Sequence, residues 1–279
     1  MISLIAGLVI HSFIIGVNVK DWRKGRSLTP VDQVVTCLEI SRMCIQFTET
    51  LYFFMTKAFP INPYLYVTMV IFTIYDFLTY ANFWLTSLLS IVFCLKISNL
   101  HSRLFLYLRR KIEHRTVNFI VACGLFSIFN CLMLLMMSIT ELIRDGTYNT
   151  TMTNQSTNCT IYINFVYTYT VGTSIPLLFS CISSVLLFTT LYHHTTKMKM
   201  SRNVSIHLET YYSAMKFISF TFIYNTLYFI GHFVGAFYYY FNCVNLYWLY
   251  ITLDFLPVLH SCYLIYRTAK LRSHMSKVL

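Results

Sequence analysis

Seven stretches of this 279-residue chain, roughly 1–19, 33–57, 65–95, 116–142, 162–191, 212–237 and 246–266, are long and apolar enough to cross a bilayer. A hydrocarbon core of about 30 Å takes about 20 apolar residues of helix to span. Inside it every backbone N–H and C=O must be satisfied within the chain, which leaves helices and closed barrels. The stretches run too long and too continuously for barrel strands of about 10 alternating residues. Composition agrees: 57% of residues are hydrophobic and 11% charged, against about 25% charged in soluble domains. The predicted fold class is an all-α membrane protein, a seven-transmembrane helix bundle forming a single domain over residues 1–279. The first stretch reads as a retained helix, because its positive charges follow it and no small-residue cleavage site is present.

Charge sets the expected orientation. Lys20, Arg23, Lys24 and Arg26 follow the first span, and Lys96, Arg103, Arg109, Arg110, Lys111 and Arg115 follow the third. Lys197, Lys199 and Arg202 follow the fifth, while Arg267, Lys270, Arg272 and Lys277 form the tail. These are 17 of the 21 Lys and Arg residues; the opposite loops hold Arg144, with Lys57 at a helix end. The positive-inside rule puts the N-terminus outside and the C-terminus inside. Three glycosylation sequons, at Asn149, Asn154 and Asn158, cluster in the loop this assigns to the outside. A fourth, at Asn203, falls on the cytosolic side and is expected to stay unmodified. The net charge of +11 on so apolar a chain points to membrane lipids and orientation, with no nucleic-acid partner.

Seven of the nine cysteines lie inside the apolar runs, without CxxC or His/Cys spacing, so no metal and no cofactor are expected. Cys159 and Cys243 fall in loops, and spacing alone leaves their pairing open. His193-His194 reads as interfacial anchoring, since adjacent helical residues diverge by about 100°. Thr29-Pro30-Val31-Asp32 has the form of a helix start: a Thr cap, Pro at the first position and Asp at the third. Pro176 and Pro257 fall inside the fifth and seventh spans, where each removes a backbone donor.

On a helix of about 100° per residue, Asp76, Tyr80, Phe83, Ser87, Ser90 and Cys94 share one polar or small stripe of the third span. Leu78, Ala81, Leu85 and Val92 lie opposite. The first stripe is expected to face the bundle and the second lipid or apolar neighbours. Lys96 then stands where the helix reaches the interface, as a snorkelling anchor or a switch residue. Ionisable groups inside spans pair or face cavities; here they are Glu39, Arg42, Glu49, Asp76, Lys216, His232 and Asp254. Glu39 and Arg42, three apart on one helix face, are placed to pair.

Several runs carry a further pattern. Trp84-Leu85, Leu89-Ser90-Ile91 and Leu95-Lys96-Ile97-Ser98-Asn99, followed by Phe105-Leu106-Tyr107-Leu108-Arg109-Arg110-Lys111-Ile112, resemble the third-helix signature of type 2 (bitter) taste receptors. Val17-Asn18 and Asp21-Trp22 match the end of that family's first helix, and Val31-Asp32-Gln33 through Ser41-Arg42 its second. Leu191, His194-Thr195 and Met198 match its fifth-helix exit; Pro257, His260-Ser261, Leu264-Ile265 and Lys270-Leu271-Arg272 match its seventh. The chain departs from the pattern at His11-Ser12, where Asn-Gly is usual, and at Glu39, where a small residue is usual. It also departs in the sixth-helix run Tyr211 to Lys216 and at Arg267-Thr268, which reads as a divergent member.

The resemblance implies a G-protein-coupled receptor of the plasma membrane, multi-pass and not an enzyme. Small-molecule bitter agonists would bind among the outer halves of the helices, and a heterotrimeric G protein with a gustducin-like α subunit would engage the inner loops. Tyr75, Thr79 and Tyr250 fall at the family's ligand-contact positions. Asp76, Tyr80, Glu49, Phe53, Tyr169, Thr173, Tyr228, His232 and Asp254 join them in the expected pocket. Two acids, Asp76 and Asp254, in an aromatic cage would favour cationic amphiphilic ligands. Arg42 would belong to a structural hub with Asn18 and His260, and Glu39, Lys96, Pro257 and Ser261 are further structural or switch candidates. Arg109, Arg110, Lys197 and Lys199 are the expected G-protein contacts, and no residue is catalytic. The alternatives are a vomeronasal type 1-like pheromone receptor and a small-molecule membrane transporter, for which no internal repeat is found.

Overall fold

A computed structural model describes residues 2–58, 65–98, 103–148, 163–200, 205–242 and 246–277. Among these the protein is all-helical: α1 (Ile2–Arg23), α2 (Pro30–Ala58), α3 (Leu65–Ile97), α4 (Arg103–Tyr148), α5 (Ile163–Met200), α6 (Ser205–Asn242), α7 (Tyr247–Arg267) and the short α8 (Ala269–Met275). The sequons at Asn149, Asn154 and Asn158, together with Cys159 and Cys243, lie outside the described residues.

Six of the seven long helices are apolar enough to cross a membrane by length and composition. The remaining one, α2, carries Glu39, Arg42 and Glu49 in its middle. Those charges depress its hydropathy, and Glu39 and Arg42 neutralise one another inside the bundle. The start of α2 has the expected cap. Thr29 Oγ1 accepts the Asp32 N–H at 3.2 Å, and the Thr29 hydroxyl donates to Asp32 Oδ2 at 2.9 Å. One orphan backbone N–H at the helix start is satisfied in this way, and a carboxylate sits at the positive end of its dipole.

α4 is broken by a kink at Arg115. Arg115 has non-helical φ −133° and ψ 31°, so the basic run from Arg103 forms its own helical segment before the apolar span. That run, predicted as a loop, is helical because it has no Gly or Pro and its Arg109 and Glu113 stand i,i+4 at 3.8 Å. The same holds at the polar end of α5 and at both ends of α6, which extend past the apolar limits of their spans.

α3 is the central helix: 78% of its apolar window is buried, against 22% for α4. Its stripe from Asp76 to Cys94 is buried as expected, but Ala81, Leu85 and Val92 opposite are buried too. Leu85, Leu89 and Val92 join Ile14 and Val17 of α1, Val34 and Leu38 of α2 and Leu264 of α7 in the main core. The second stripe therefore meets apolar neighbours and not lipid. On the outer face of α4, Val121, Leu125, Phe129, Leu132 and Met136 stay exposed, as a lipid-facing helix requires. Buried hydroxyls such as Thr86 and Ser127 donate to the carbonyl four residues back, at 2.6 Å and 2.7 Å, which keeps them satisfied without water.

Polar side chains tie the helices together. Asn18 donates to Thr36 Oγ1 at 3.0 Å, joining α1 to α2. Ser90 and Ser180 are 3.2 Å apart and Asn225 donates to Ser180 Oγ at 3.1 Å, joining α3, α5 and α6. At the basic end, Lys270 of α8 reaches Asp21 at 3.0 Å, Asp32 at 3.5 Å and Asn18 Oδ1 at 2.8 Å. Asp21 lies beyond the apolar part of α1, and the hydrogen bond from Lys270 holds its carboxyl below the usual carboxylate range.

Candidate functional site

Arg42 is fully buried at the centre of the bundle, and its guanidinium contacts three other helices. Nη1 lies 3.1 Å from Glu39 Oε1, 3.1 Å from His260 Nδ1 and 3.1 Å from Ser261 Oγ. Nη2 donates to Tyr224 Oη at 3.2 Å and Nε to Asn82 Oδ1 at 3.3 Å. The guanidinium carbon also stands 5.3 Å from the Tyr224 ring centroid, within cation–π range. A guanidinium has no acceptor, so His260 Nδ1 must be unprotonated. Its proton is then on Nε2, which faces Thr221 Oγ1 at 3.3 Å.

Glu39 is the counter-ion. Its carboxylate accepts from the Ser261 hydroxyl at 2.8 Å and is hydrogen-bonded to His11 Nδ1. His11, Glu39, His260 and Ser261 are all completely buried. A buried charge of this kind survives only when it is both paired and hydrogen-bonded, and here one cation meets one anion inside a shell of donors and acceptors. The i,i+3 pairing of Glu39 with Arg42 is as expected. The α1 member of the hub is His11; Asn18 is not among the partners of Arg42 and is held instead by Thr36 and Lys270. His11 and Glu39, each a departure from the family pattern, are thus direct partners.

Beside the hub lies a small cavity of about 10 Å³, close to the volume one water centre occupies. Glu49, Tyr75, Tyr228, His232, Tyr250 and Asp254 line it, and so do Arg42 and Pro257. Tyr224, Tyr228 and His232 recur every four residues on one face of α6, and their rings form a ladder. The ring centroids of Tyr224 and Tyr228 are 5.8 Å apart, and those of Tyr228 and His232 are 4.4 Å apart. Glu49 of α2 and Asp254 of α7 face the same cavity.

The other expected pocket residues lie elsewhere. Asp76, Thr79, Tyr80 and Thr173 are buried between helices and do not line the cavity. Asp76 follows Tyr75 by about 100° around α3, which turns it toward Tyr80 and Cys131 of α4. The acid that shares the cavity with Asp254 is therefore Glu49 and not Asp76. Phe53 is 51% exposed and does not line the cavity. The side chains of Tyr169, His194, Lys197 and Lys199 lie outside the described residues. Lys96 is exposed in the last turn of α3, where a cation suits the helix dipole. Arg110 is exposed, and Lys111 stands 5.4 Å from the Tyr107 ring. Lys216 is also exposed. Tyr224, Asn82 and Thr221 were not singled out by sequence; the four-residue recurrence on α6 was the available signal for the first. Among the described residues no group of three metal-ligating side chains gathers.

The model of the family described as "Taste receptor protein (TAS2R)" matches this chain over residues 1–279. Taste receptor type 2 member 50 of Homo sapiens is 29% identical over 214 residues, covering 75% of this chain and 70% of that protein. Taste receptor type 2 member 125 of Rattus norvegicus is 27% identical over 281 residues, covering 98% of this chain and 89% of its own length. Taste receptor type 2 member 16 of Rattus norvegicus is 27% identical over 222 residues, covering 77% and 72%.

Proposed function

The chain belongs to the taste receptor type 2 family, G-protein-coupled receptors and not enzymes, and from that premise we propose that it senses small bitter compounds at the plasma membrane through the cavity beside Arg42. The N-terminus is outside and the C-terminus inside, as the loop charges require. Agonists bind among α2, α3, α6 and α7, and the receptor activates a G protein with a gustducin-like α subunit through its basic inner segments. Arg109, Arg110, Lys197 and Lys199 are the proposed contacts there.

One observation carries this reading: Arg42 lines the cavity and also holds α2, α3, α6 and α7 together. A ligand that enters the cavity meets the side chain on which the helix arrangement depends. If it fits one arrangement better than another, the population shifts toward that arrangement. α6 and α7 meet Arg42 through Tyr224, His260 and Ser261, so these helices are the ones that move. Pro257 also lines the cavity, and the N–H it lacks weakens α7 at that turn. The whole-chain family match favours this reading over the vomeronasal and transporter alternatives.

The test is agonist-evoked calcium release in cells expressing the chain with a promiscuous Gα, screened against a panel of bitter compounds. At least one compound is expected to evoke a response that disappears when the Gα is omitted. A response that persists without any Gα, or silence across the panel from a receptor shown to reach the surface, would sink the proposal.

A further inference from the structure

We propose that the basic end of α1 is a binding site for a phosphoinositide, whose headgroup lies among Lys20, Arg23 and Lys24 and whose acyl chain runs over Gly16. The site is separate from the cavity beside Arg42, and only the leaflet it faces rests on the orientation proposed above. A groove of about 300 Å³ follows this face of α1, lined by Gly16, Val19, Lys20, Arg23 and Lys24. The three cations stand at i, i+3 and i+4 and are neighbours on one face. A Schellman turn fixes the last two there. Gly25, at φ 72°, donates to the Trp22 carbonyl at 2.9 Å, and the Arg26 N–H donates to the Asp21 carbonyl at 3.1 Å. The same turn brings the Arg26 side chain to within 3.4 Å of Asp21. The acids at this end are thus already claimed: Asp21 by Arg26 and Lys270, and Asp32 by Lys270. Among the described residues Lys20, Arg23 and Lys24 enter no ion pair, so the groove gathers like charges with no anion to balance them.

The surroundings of the groove favour a lipid over a soluble anion. Ile5, Val9, Ser12 and Gly16 recur every three or four residues and are all exposed, a stripe turned out of the bundle as a lipid-facing surface is. Trp22 is 67% exposed beside the cations, and exposed tryptophan marks the depth of the headgroups. The groove starts on the apolar stripe and ends in cations about 12 Å further along the helix. A Cβ at Gly16 would meet nothing within 4 Å, so the missing side chain leaves an open track for an acyl chain. The last carbonyls of a helix offer no donors, so the side chains do the binding. Arg23 can grip a phosphate with a bidentate fork, and Lys20 and Lys24 add point charges. A lipid with a single phosphodiester brings one negative charge to this cluster. A phosphoinositide adds phosphomonoesters of about −1.5 to −2 each, which comes nearer to balance.

The test uses the full chain, purified in detergent. The probe is dioctanoyl phosphatidylinositol bisphosphate, with dioctanoyl phosphatidylcholine as the zwitterionic control and inositol trisphosphate as the headgroup without chains. Affinity is read from the ligand-concentration dependence of the thermal unfolding midpoint. The wild type should bind the phosphoinositide roughly 100-fold more tightly than phosphatidylcholine, at about 5-fold for each cation near anionic lipid. Lys20→Gln/Arg23→Gln/Lys24→Gln should bring that ratio toward 1. Arg103→Gln/Arg115→Gln/Arg272→Gln, which removes the same charge from exposed positions elsewhere, should leave it unchanged. Gly16→Leu should weaken the phosphoinositide and spare inositol trisphosphate, because it fills the track and not the cation cluster. Equal binding of the two lipids by the wild type overturns the proposal without recourse to variants. Equal losses in the two triple variants also overturn it, by reducing the effect to net charge. So does inositol trisphosphate binding as tightly as the lipid, which would make the ligand a soluble phosphate. Binding in detergent does not depend on which leaflet the groove faces, so the orientation is judged separately, from glycosylation.

Discussion

Replacing Glu39 by Ala should be among the most damaging single substitutions available in this bundle. The carboxylate accepts from three side chains: His11, Arg42 at 3.1 Å and Ser261 at 2.8 Å. In Glu39→Ala, Arg42 keeps only the neutral acceptors Asn82, Tyr224, His260 and Ser261. Its charge stays buried and loses its counter-ion. Breaking a buried ion pair from one side costs about 3–5 kcal/mol. At about 2–4 °C per kcal/mol for a chain of this size, the unfolding midpoint should fall by roughly 6–20 °C. Cys94 and Cys123 are buried, so a thiol-reactive fluorophore reports their exposure as the detergent-purified receptor is heated. Removing both ends of the pair should hurt less than removing one: Glu39→Ala/Arg42→Met should recover part of the loss, because the uncompensated charge goes too. A fall of less than about 2 °C for Glu39→Ala, or strict additivity in the double variant, would refute the view that the hub is held by its charge pair.

Other outcomes follow from packing, charge and topology. A Cβ added at Gly231 would lie 2.3 Å from Leu253 Cδ2, so Gly231→Ala should destabilise by about 1–3 kcal/mol. Gly124, whose added Cβ meets nothing within 4 Å, should gain up to about 1 kcal/mol as Ala, and the same melting assay separates the two. Lys270→Met should cost about 1 kcal/mol, because Asp21 and Asp32 lose the cation between them. Lys270 is 26% exposed, so that cost should shrink in high salt; a salt-independent loss would point to packing of the stem instead. Peptide N-glycosidase should shift the electrophoretic mobility of the wild type and leave a variant with Asn149, Asn154 and Asn158 all changed to Gln unshifted; a shift that persists in that variant would contradict the proposed orientation.

The sequence carried a good deal of this. Apolar runs located the helices, and the break at Arg115 falls one residue before the predicted start of the fourth span at 116. Hydropathy missed how far the helices extend into polar sequence, because a helix of charged residues satisfies its backbone in water as well as in lipid and leaves no apolar trace. Glu39–Arg42 was legible because i,i+3 is a spacing within one helix. His11–Glu39 was not, since the partners are 28 residues apart on different helices and no period links them. Both had stood out singly as departures from the family pattern. Asp76 and Tyr75 show the limit of a helical wheel: it places both near the bundle, but only the neighbours decide that Tyr75 lines the cavity and Asp76 is buried outside it.

The polarity of α2 also has a consequence for how the chain is made. Helices enter the membrane in order of synthesis, and a charged residue at a helix centre costs about 2.5–3.5 kcal/mol to insert. When α2 arrives, its own Glu39–Arg42 pair and His11 of α1 already exist. His260 lies 218 residues further on. At about 5–20 residues per second, that is a wait of roughly 10–40 s. Throughout it Arg42 lacks its α7 acceptors His260 and Ser261. The nascent receptor must hold a half-built ionic core in the bilayer until its last transmembrane helix emerges, and a ribosome that stalls before α7 leaves α2 as the segment quality control can recognise.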